Sequence, residues 1–472
     1  MKAFPASTIL IPGLAAVAGL AALVVWMTTG SIETLQARVP GLDRREGQGS
    51  LELPSLPLVG RLTAGSGKPG EIQGEWPWFR GKDLDNIAKG GAPLARQWPP
   101  GGPTVLWSVE LGEGHAGPAV RDGRVYLLDY DREKSCDALR CLSLADGKEI
   151  WRYSYPVEVK RYHGMSRTVP ALGGSCVVAI GPKCHVTCLD ATTGNFQWMI
   201  DLVRQYGATV PQWYAGQCPL VDGDRVVLAP GGKSALLLAV DLKTGREEWK
   251  TPNPRGWTMT HASIMPIEFG GRRMYVYCGS GGVVGVNAAT GAIEWDTTEW
   301  QIKLATVPSP ICLPDGRIFL CGGYSAGAMM LQLRDEGGTL VARPLFRLKA
   351  RQFGSTQHTP ILYQGHLYGV REDEQLVCLD LNGKEVWRSG AEHRFLKARG
   401  PYLIADGLIY VLAEDGVLTM AEASPAGYKE LGRAQVLDGP DAWGPMALVA
   451  GRLLARDTVR MVCLDVKKPD KP

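Results

Sequence analysis

The sequence predicts an all-β chain: an eight-bladed β-propeller of four-stranded antiparallel blades, with the ring closed by its N- and C-terminal strands and one transmembrane helix before it. Three observations predict this. A Trp recurs at a nearly fixed interval, each interval opens with two apolar strands joined by a Gly turn, and an uncharged apolar run stands at the N-terminus.

The N-terminal run comes first. No charged residue occurs from Ala3 to Thr29, and Ile9–Met27 is 19 residues of almost wholly apolar or small character. About 20 such residues span a bilayer as a helix. Pro12 stands where a helix start tolerates it, and Trp26 where an aromatic favours the interface. A cleaved signal peptide is the competing reading, but no A-x-A site follows Met27, and the first Cys is Cys136, so an N-terminal lipid-modified Cys is excluded. Residues 1–30 are therefore expected to anchor the chain in a bacterial inner membrane as a single pass, with the bulk outside the cytoplasm, in the periplasm. Residues 31–75 are rich in Gly and Pro without a sustained period, which reads as a flexible linker. The propeller is expected over 76–472.

Composition agrees with a long, strand-rich fold. Of 472 residues, 45% are hydrophobic and 21% charged, which supports a large core and argues against wholesale disorder. The net charge of +3 is too small to point to a nucleic-acid partner. The 59 Gly and 32 Pro suit tight turns, and with 11 Cys at least one thiol is unpaired within the chain.

The repeat sets the blade count. Segments end in Trp107, Trp151, Trp198, Trp249, Trp295 and Trp387, at spacings of 44, 47, 51, 46 and then 92, twice 46. The skipped unit places Phe346 where the Trp is due. Each unit opens with a hairpin such as AVRDGRVYLLDY, ILYQGHLYGV or LIADGLIYVLA, whose D-G and Q-G pairs provide positive-φ turns. Four short strands per period of about 46 residues is the pattern of a propeller blade. There are eight openings. The eighth unit lacks an outermost strand, which VLWSVEL at the start of the ring is expected to supply, removing an exposed sheet edge.

These motifs carry a family resemblance. A-x-D-x-x-T-G-x-x-x-W, nearly complete at Ala239–Trp249 and Cys188–Trp198, resembles the Trp-docking repeat of the PQQ-like (pyrroloquinoline-quinone-type) propellers, and WPWFRGKDLDN at Trp76–Asn86 resembles their lead-in. The resemblance implies a structural role for the six Trp residues, whose rings are expected between blades. It also implies two functional alternatives. Quinoprotein dehydrogenases of this family hold PQQ and Ca²⁺ in the central channel, using carboxylates and often an adjacent Cys pair. This chain has no Cys-Cys pair and few acids in the blade openings. The other alternative is a propeller that binds partners without catalysis.

Other chemistry finds little support. Cys184, His185 and Cys188 form C-H-x-x-C, which is not the C-x-x-C-H of haem attachment, and strand Cys residues commonly fill small buried positions. No Gly-rich phosphate loop stands between a strand and a helix, and the G-x-S-x-G letters at Gly323–Gly327 fall between two apolar strands of one unit and make no strand-to-helix elbow. One constellation stands out just ahead of the first strands of successive units: Glu113 and His115, His163 and Arg167, Trp213, Tyr214 and Gln217, His261, Gln357 and His358, Arg399, and Trp443. Equivalent positions in a closed ring converge on one channel mouth. Ordinary lining by strand-end polar groups is one reading. The other is a ligand site, where His and Arg favour an anionic group and the aromatics a planar one. No catalytic or metal-ligating residue is assigned and no cofactor is expected. The leading expectation is a membrane-anchored binding or scaffolding platform for a protein or a small anionic ligand. The alternative is a PQQ- and Ca²⁺-dependent alcohol or sugar dehydrogenase, with Glu113 or Asp441 as its nearest acids.

Overall fold

The computed structural model describes residues 17–25, 60–160 and 165–469. Residues 17–25 are helical; most of the apolar run lies outside the described residues, and no helix among the described residues is long and apolar enough to cross a membrane.

Eight four-stranded antiparallel units follow one another along the chain, with strands spanning 119–156 (blade 1), 171–201 (blade 2), 220–250 (blade 3), 265–297 (blade 4), 311–348 (blade 5), 361–388 (blade 6) and 402–435 (blade 7). Blade 8 takes three strands from 447–465 and its outermost strand from Thr104–Glu110, which pairs antiparallel with Arg460–Asp465. The ring is thus closed by its two ends, as the truncated eighth unit predicts. The hairpin turns have the backbone their sequences require. Asp122-Gly123 lies at φ 50° and 67° and Gln364-Gly365 at 48° and 75°, the paired left-handed positions of a two-residue hairpin.

The repeat Trp residues sit where one blade meets the next. Trp107 and Trp198 donate Nε1–H to the carbonyls of Leu144 and Leu242 in the following blade, at 3.0 and 2.9 Å. A Cβ on Gly245 would stand 2.7 Å from the Trp198 ring, so the T-G turn needs glycine to let the indole pack flat against it. In blade 5, Phe346 takes this place and packs over Gly383.

Two features were not expected. Arg61–Ala64, inside the presumed linker, forms a fifth strand on blade 1, antiparallel to Glu149–Pro156. Residues 76–86 then cross one end of the channel as a strap. Trp76 pairs with Val120 in blade 1, and Pro77 accepts from Leu172 N in blade 2. The buried Arg80 guanidinium donates to the carbonyls of Thr359 (3.0 Å) and Pro360 (3.2 Å) in blade 6, and Asn86 bonds Tyr402 in blade 7. All eleven Cys are free thiols, nine of them buried.

The channel wall has its own ladder. Just ahead of the innermost strands, Val169 N donates to Cys218 Sγ (3.2 Å), Cys218 N to Ser263 Oγ (3.0 Å), Ser263 N to Ser309 Oγ (2.9 Å) and Ser309 N to Thr359 Oγ1 (2.8 Å). Blades 2 to 6 are thereby linked in series by four bonds around the channel. In blades 7, 8 and 1 the equivalent residues are Gly400, Gly444 and Gly117.

Candidate functional site at the channel mouth

The segments leading into the innermost strands converge, because each blade begins at the same radius of one ring. A cavity of about 270 Å³ is lined by His115, Arg167, Trp213, His261, Gln357, His358, Arg399 and Trp443, eight of the twelve residues expected at the mouth. Ser263 and Cys218 add small or polar surface, and Phe79, Ala305, Val307 and Pro445 add apolar wall.

The other four expected residues do not line it. Tyr214 is fully buried, its hydroxyl accepting from Lys160 N (2.7 Å) and donating to Lys160 O (2.9 Å). Gln217 is fully buried and spends its amide on blade 3's own backbone, donating to Ala229 O (3.1 Å) and accepting from Ala229 N (2.9 Å). Glu113 does not line the cavity; its backbone carbonyl accepts from Met165 N. His163 lies outside the described residues. Two contributors had gone unnoticed. Phe79 comes from the strap and lines the cavity. Tyr324 comes from the turn between the second and third strands of blade 5, at φ 56°. The opening of that unit, TVPSPICL, adds only Val307 to the lining, and Ala305 just before it adds a methyl. The aromatic density of WPWFRG and the lack of bulk in that fifth opening were the signals available.

Local packing fixes several of the side chains. His115 stacks on Trp443, with centroids 4.6 Å apart and planes 17° from parallel, and the Arg399 guanidinium lies 5.2 Å from the Trp443 ring centre. Arg399 also stands 3.8 Å from Glu414, a buried carboxylate that Lys397 Nζ contacts at 2.5 Å. Across the cavity, Arg167 Nε donates to Trp213 O at 2.6 Å, and the Trp213 indole leans on His261. Burial lowers Arg167 to about 10, so it still carries its charge at neutral pH. Burial, reinforced by Arg167, pushes His261 down to about 3, and burial brings His358 to about 4. Both imidazoles are therefore neutral over the physiological range. Tyr214, Tyr324, Ser325, Lys397, Ala398 and Asp441, all close to the mouth in sequence or space, hold positive φ without being glycine. Such backbone persists where surrounding structure enforces it, and it gathers at functional sites.

The C-H-x-x-C segment makes no site. Cys184 Sγ faces Met259 Sδ, Cys188 Sγ points to Leu242 O, and His185 packs edge-on to Tyr155 beside Asp201. Among the described residues no group of His, Cys, Asp and Glu could hold a metal ion.

With this geometry established, comparison with known proteins gives a family. The family described as outer membrane protein assembly factor BamB, built of PQQ-like repeats, matches over residues 100–207, 135–381 and 300–426. The chain belongs to that family. Among curated proteins it is 23% identical to the outer membrane protein assembly factor BamB of Moranella endobia (strain PCIT), over 68% of this chain and 70% of that one. It is 28% identical to the serine/threonine-protein kinase AfsK of Streptomyces griseus, over 43% of this chain but only 23% of the kinase. Among solved structures, BamB from Moraxella catarrhalis aligns with a TM-score of 0.51 at 17% identity, covering 78% of this chain and 99% of that one. The computationally designed Ika8 protein aligns at 0.53 and 10% identity, covering 76% and 99%. Both structural matches speak for the propeller fold alone.

Proposed function

We propose that this chain is a non-catalytic binding platform: a propeller tethered outside the cytoplasm by its N-terminal apolar run, which uses the channel-mouth cavity to hold an anionic group of its partner. The lining of that cavity carries the proposal. It combines two guanidiniums with three imidazoles and two indoles, and no carboxylate is among the lining residues. Exposed apolar side chains lie beside it, Tyr324 in the lining itself, Leu304 next to Ala305, and Leu396 three residues before Arg399. Apolar surface next to a cationic recess suits a partner that docks over the mouth. The relationship to outer membrane protein assembly factors supports a partner that is a protein.

The catalytic alternative needs a Ca²⁺-bound quinone, and the residues present do not suit that pair. Ca²⁺ takes six to eight oxygen ligands, usually several carboxylates. The side-chain oxygens lining this cavity belong only to Ser263, Tyr324 and Gln357.

Two measurements test the platform. A photo-crosslinking residue at Tyr324 of the full-length chain, in the membrane of its host, is expected to trap one defined species, and the same residue at exposed Phe196 on a blade edge is not. Dye reduction that requires both PQQ and Ca²⁺ would overturn the reading in favour of an oxidoreductase. Alkaline extraction of membranes tests the tether, since a spanning helix keeps the chain in the pellet.

A further inference from the structure

Two of the segments that form the mouth are joined to each other, and the joint stands on a buried acid. Gly114 and Ser166 form a parallel bridge, His115 N donates to Ser166 O at 2.7 Å, and Met165 N donates to Glu113 O at 3.4 Å. This pair of lead-ins carries His115 and Arg167 into the cavity. Behind it, Asp137 on the third strand of blade 1 accepts from Ser166 Oγ (2.7 Å) with one carboxyl oxygen and from Tyr155 OH (2.9 Å) with the other. Asp137 is 0% exposed. Blade 2 closes over it, since a Cβ on Gly181 would stand 2.7 Å from Asp137 Oδ2.

Asp137 has hydroxyl partners but no cation. Arg140, on the same strand, is committed to Asp129 (2.8 Å) and Glu149 (2.6 Å), and among the described residues no ion pair reaches Asp137. Around it stand Tyr130, its register partner on the second strand, Cys136 beside it, and Tyr155 on the fourth strand, all three pushed up by burial. From blade 2, His185 lies edge-on to Tyr155 at 5.8 Å and is lowered by burial. Burial raises Asp137 to about 7, so of these groups it is the one brought between pH 6 and 8. Two hydroxyls fill only part of the roughly four acceptor sites of a carboxylate, and an ionised group sealed there without a counter-charge is costly until water reaches it. Asp137 and Tyr155 are held opposite each other in the sheet of blade 1, whereas Ser166 lies in a connection, so Ser166 is the partner that can withdraw. We infer that Asp137 is a proton-operated clamp on the mouth: its neutral carboxyl holds the paired lead-ins that present His115 and Arg167, and its ionised form releases them. This rests on the reading of the channel mouth as a binding site and adds a control to it, with the binding-competent form on the acid side of neutrality.

The test is amide hydrogen exchange of the purified full-length chain at pH 6 and pH 8, with each rate corrected for intrinsic exchange at that pH. Residues 113–117 and 165–169 should lose about tenfold or more of their protection between the two. The lead-ins of blades 4 and 5, at 261–264 and 305–309, report any global loss of stability and should change less. Asp137→Asn should keep both clamped segments protected at either pH. Ser166→Ala, which removes the hydroxyl and leaves the acid, should expose them already at pH 6, and it decides the matter if thermal melts show that Asp137→Asn does not fold. An equal change in all four lead-ins, or the same pH response in Asp137→Asn, would overturn the clamp. The Tyr324 crosslink tests the control of binding: its yield should fall about threefold or more from pH 6 to pH 8 in the parent chain and stay level in Asp137→Asn. A crosslink indifferent to pH while the lead-ins open would overturn that control. No crosslink at either pH, with the exchange response intact, removes the platform and leaves the clamp.

Discussion

Around the channel, the residue that leads into each innermost strand is Val169, Cys218, Ser263, Ser309 and Thr359 in blades 2–6, but Gly400, Gly444 and Gly117 in blades 7, 8 and 1. In the first group, side-chain hydroxyls and a thiol accept from the preceding blade's backbone and tie five blades into a ladder. The second group has no such atoms. A Cβ on Gly400 would stand 1.7 Å from Leu412 O, and one on Gly444 would stand 2.6 Å from Arg456 Cγ. The backbone approaches too closely there for any side chain, and a guanidinium makes the joint between blades 8 and 1. Arg456, 1% exposed, donates to the carbonyls of Asp457, Thr458, Ala116 and Gly112, tying blade 8 to the segment that enters blade 1. The bulky stack of His115, Trp443 and Arg399 stands on the same glycine half. The difference teaches how each half is joined: the laddered half ties blade to blade through side chains while still presenting Arg167, Trp213, His261 and His358 to the cavity, and the glycine half seals the ring by close backbone approach beside the stack of His115, Trp443 and Arg399.

The largest expected effect breaks the glycine half. Arg456→Leu removes a donor from four carbonyls; Thr458 O keeps the Gly114 N–H at 3.0 Å, and those of Asp457, Ala116 and Gly112 are left without one. Removing one partner of a buried charged network commonly costs about 3–5 kcal/mol, and the orphaned carbonyls place this change at the upper end. Chemical denaturation should show a loss of about 5 kcal/mol or a separate early transition as blade 8 opens. A loss under about 1 kcal/mol would mean that strand pairing alone closes the ring.

The seam between the halves, where blade 1 passes to blade 2, has a different device. Asp137 is fully buried, accepting from Ser166 Oγ (2.7 Å) and Tyr155 OH (2.9 Å), and so fixes the residue next to Arg167. Burial raises its carboxyl to about 7. Because the folded value lies above the unfolded one, the native chain binds more protons than the unfolded chain between about pH 4 and 7, and stability falls as pH rises through that window. The loss by pH 8 is on the order of 4 kcal/mol. Asp137→Asn should flatten this slope in melting temperature between pH 5 and 8, and an unchanged slope would assign it to other groups.

Much of this was legible in the sequence, and unequally. The Trp spacing and D-G turns mark the blades because each must bury one face and turn at a fixed length. The incomplete last unit announces the closure for the same reason. The convergence of His115, Arg167, His261 and Arg399 followed from ring symmetry. Gln217 occupies an equivalent position yet turns to Ala229, because periodicity fixes where a residue stands and says nothing of its rotamer. Phe79 and Tyr324 reach the cavity from a strap and a hairpin turn outside the repeat register, so no spacing could point to them. The strand at Arg61–Ala64 was hidden because an added edge strand needs backbone pairing and little side-chain pattern. The ladder was visible only as a small residue before Pro in several openings (CP at 218, SP at 309, TP at 359), with nothing to say that each side chain serves the neighbouring blade.

The smallest effect sharpens the comparison from the laddered side. Ser309 is 2% exposed, and its Oγ is the acceptor for Ser263 N; its own N–H goes on to Thr359 Oγ1. Ser309→Ala therefore orphans one buried N–H without disturbing the next rung, a cost of about 1–2 kcal/mol. Ser309→Cys should recover part of it, because Cys218 Sγ already accepts a backbone N–H two rungs earlier at 3.2 Å. The useful quantity is the gap between the two variants in thermal melts. A Cys variant more stable than Ala shows that the acceptor itself holds the wall, as the ladder requires. Equal losses would show that filling the space is what counts, and the two halves of the channel would then differ in shape alone.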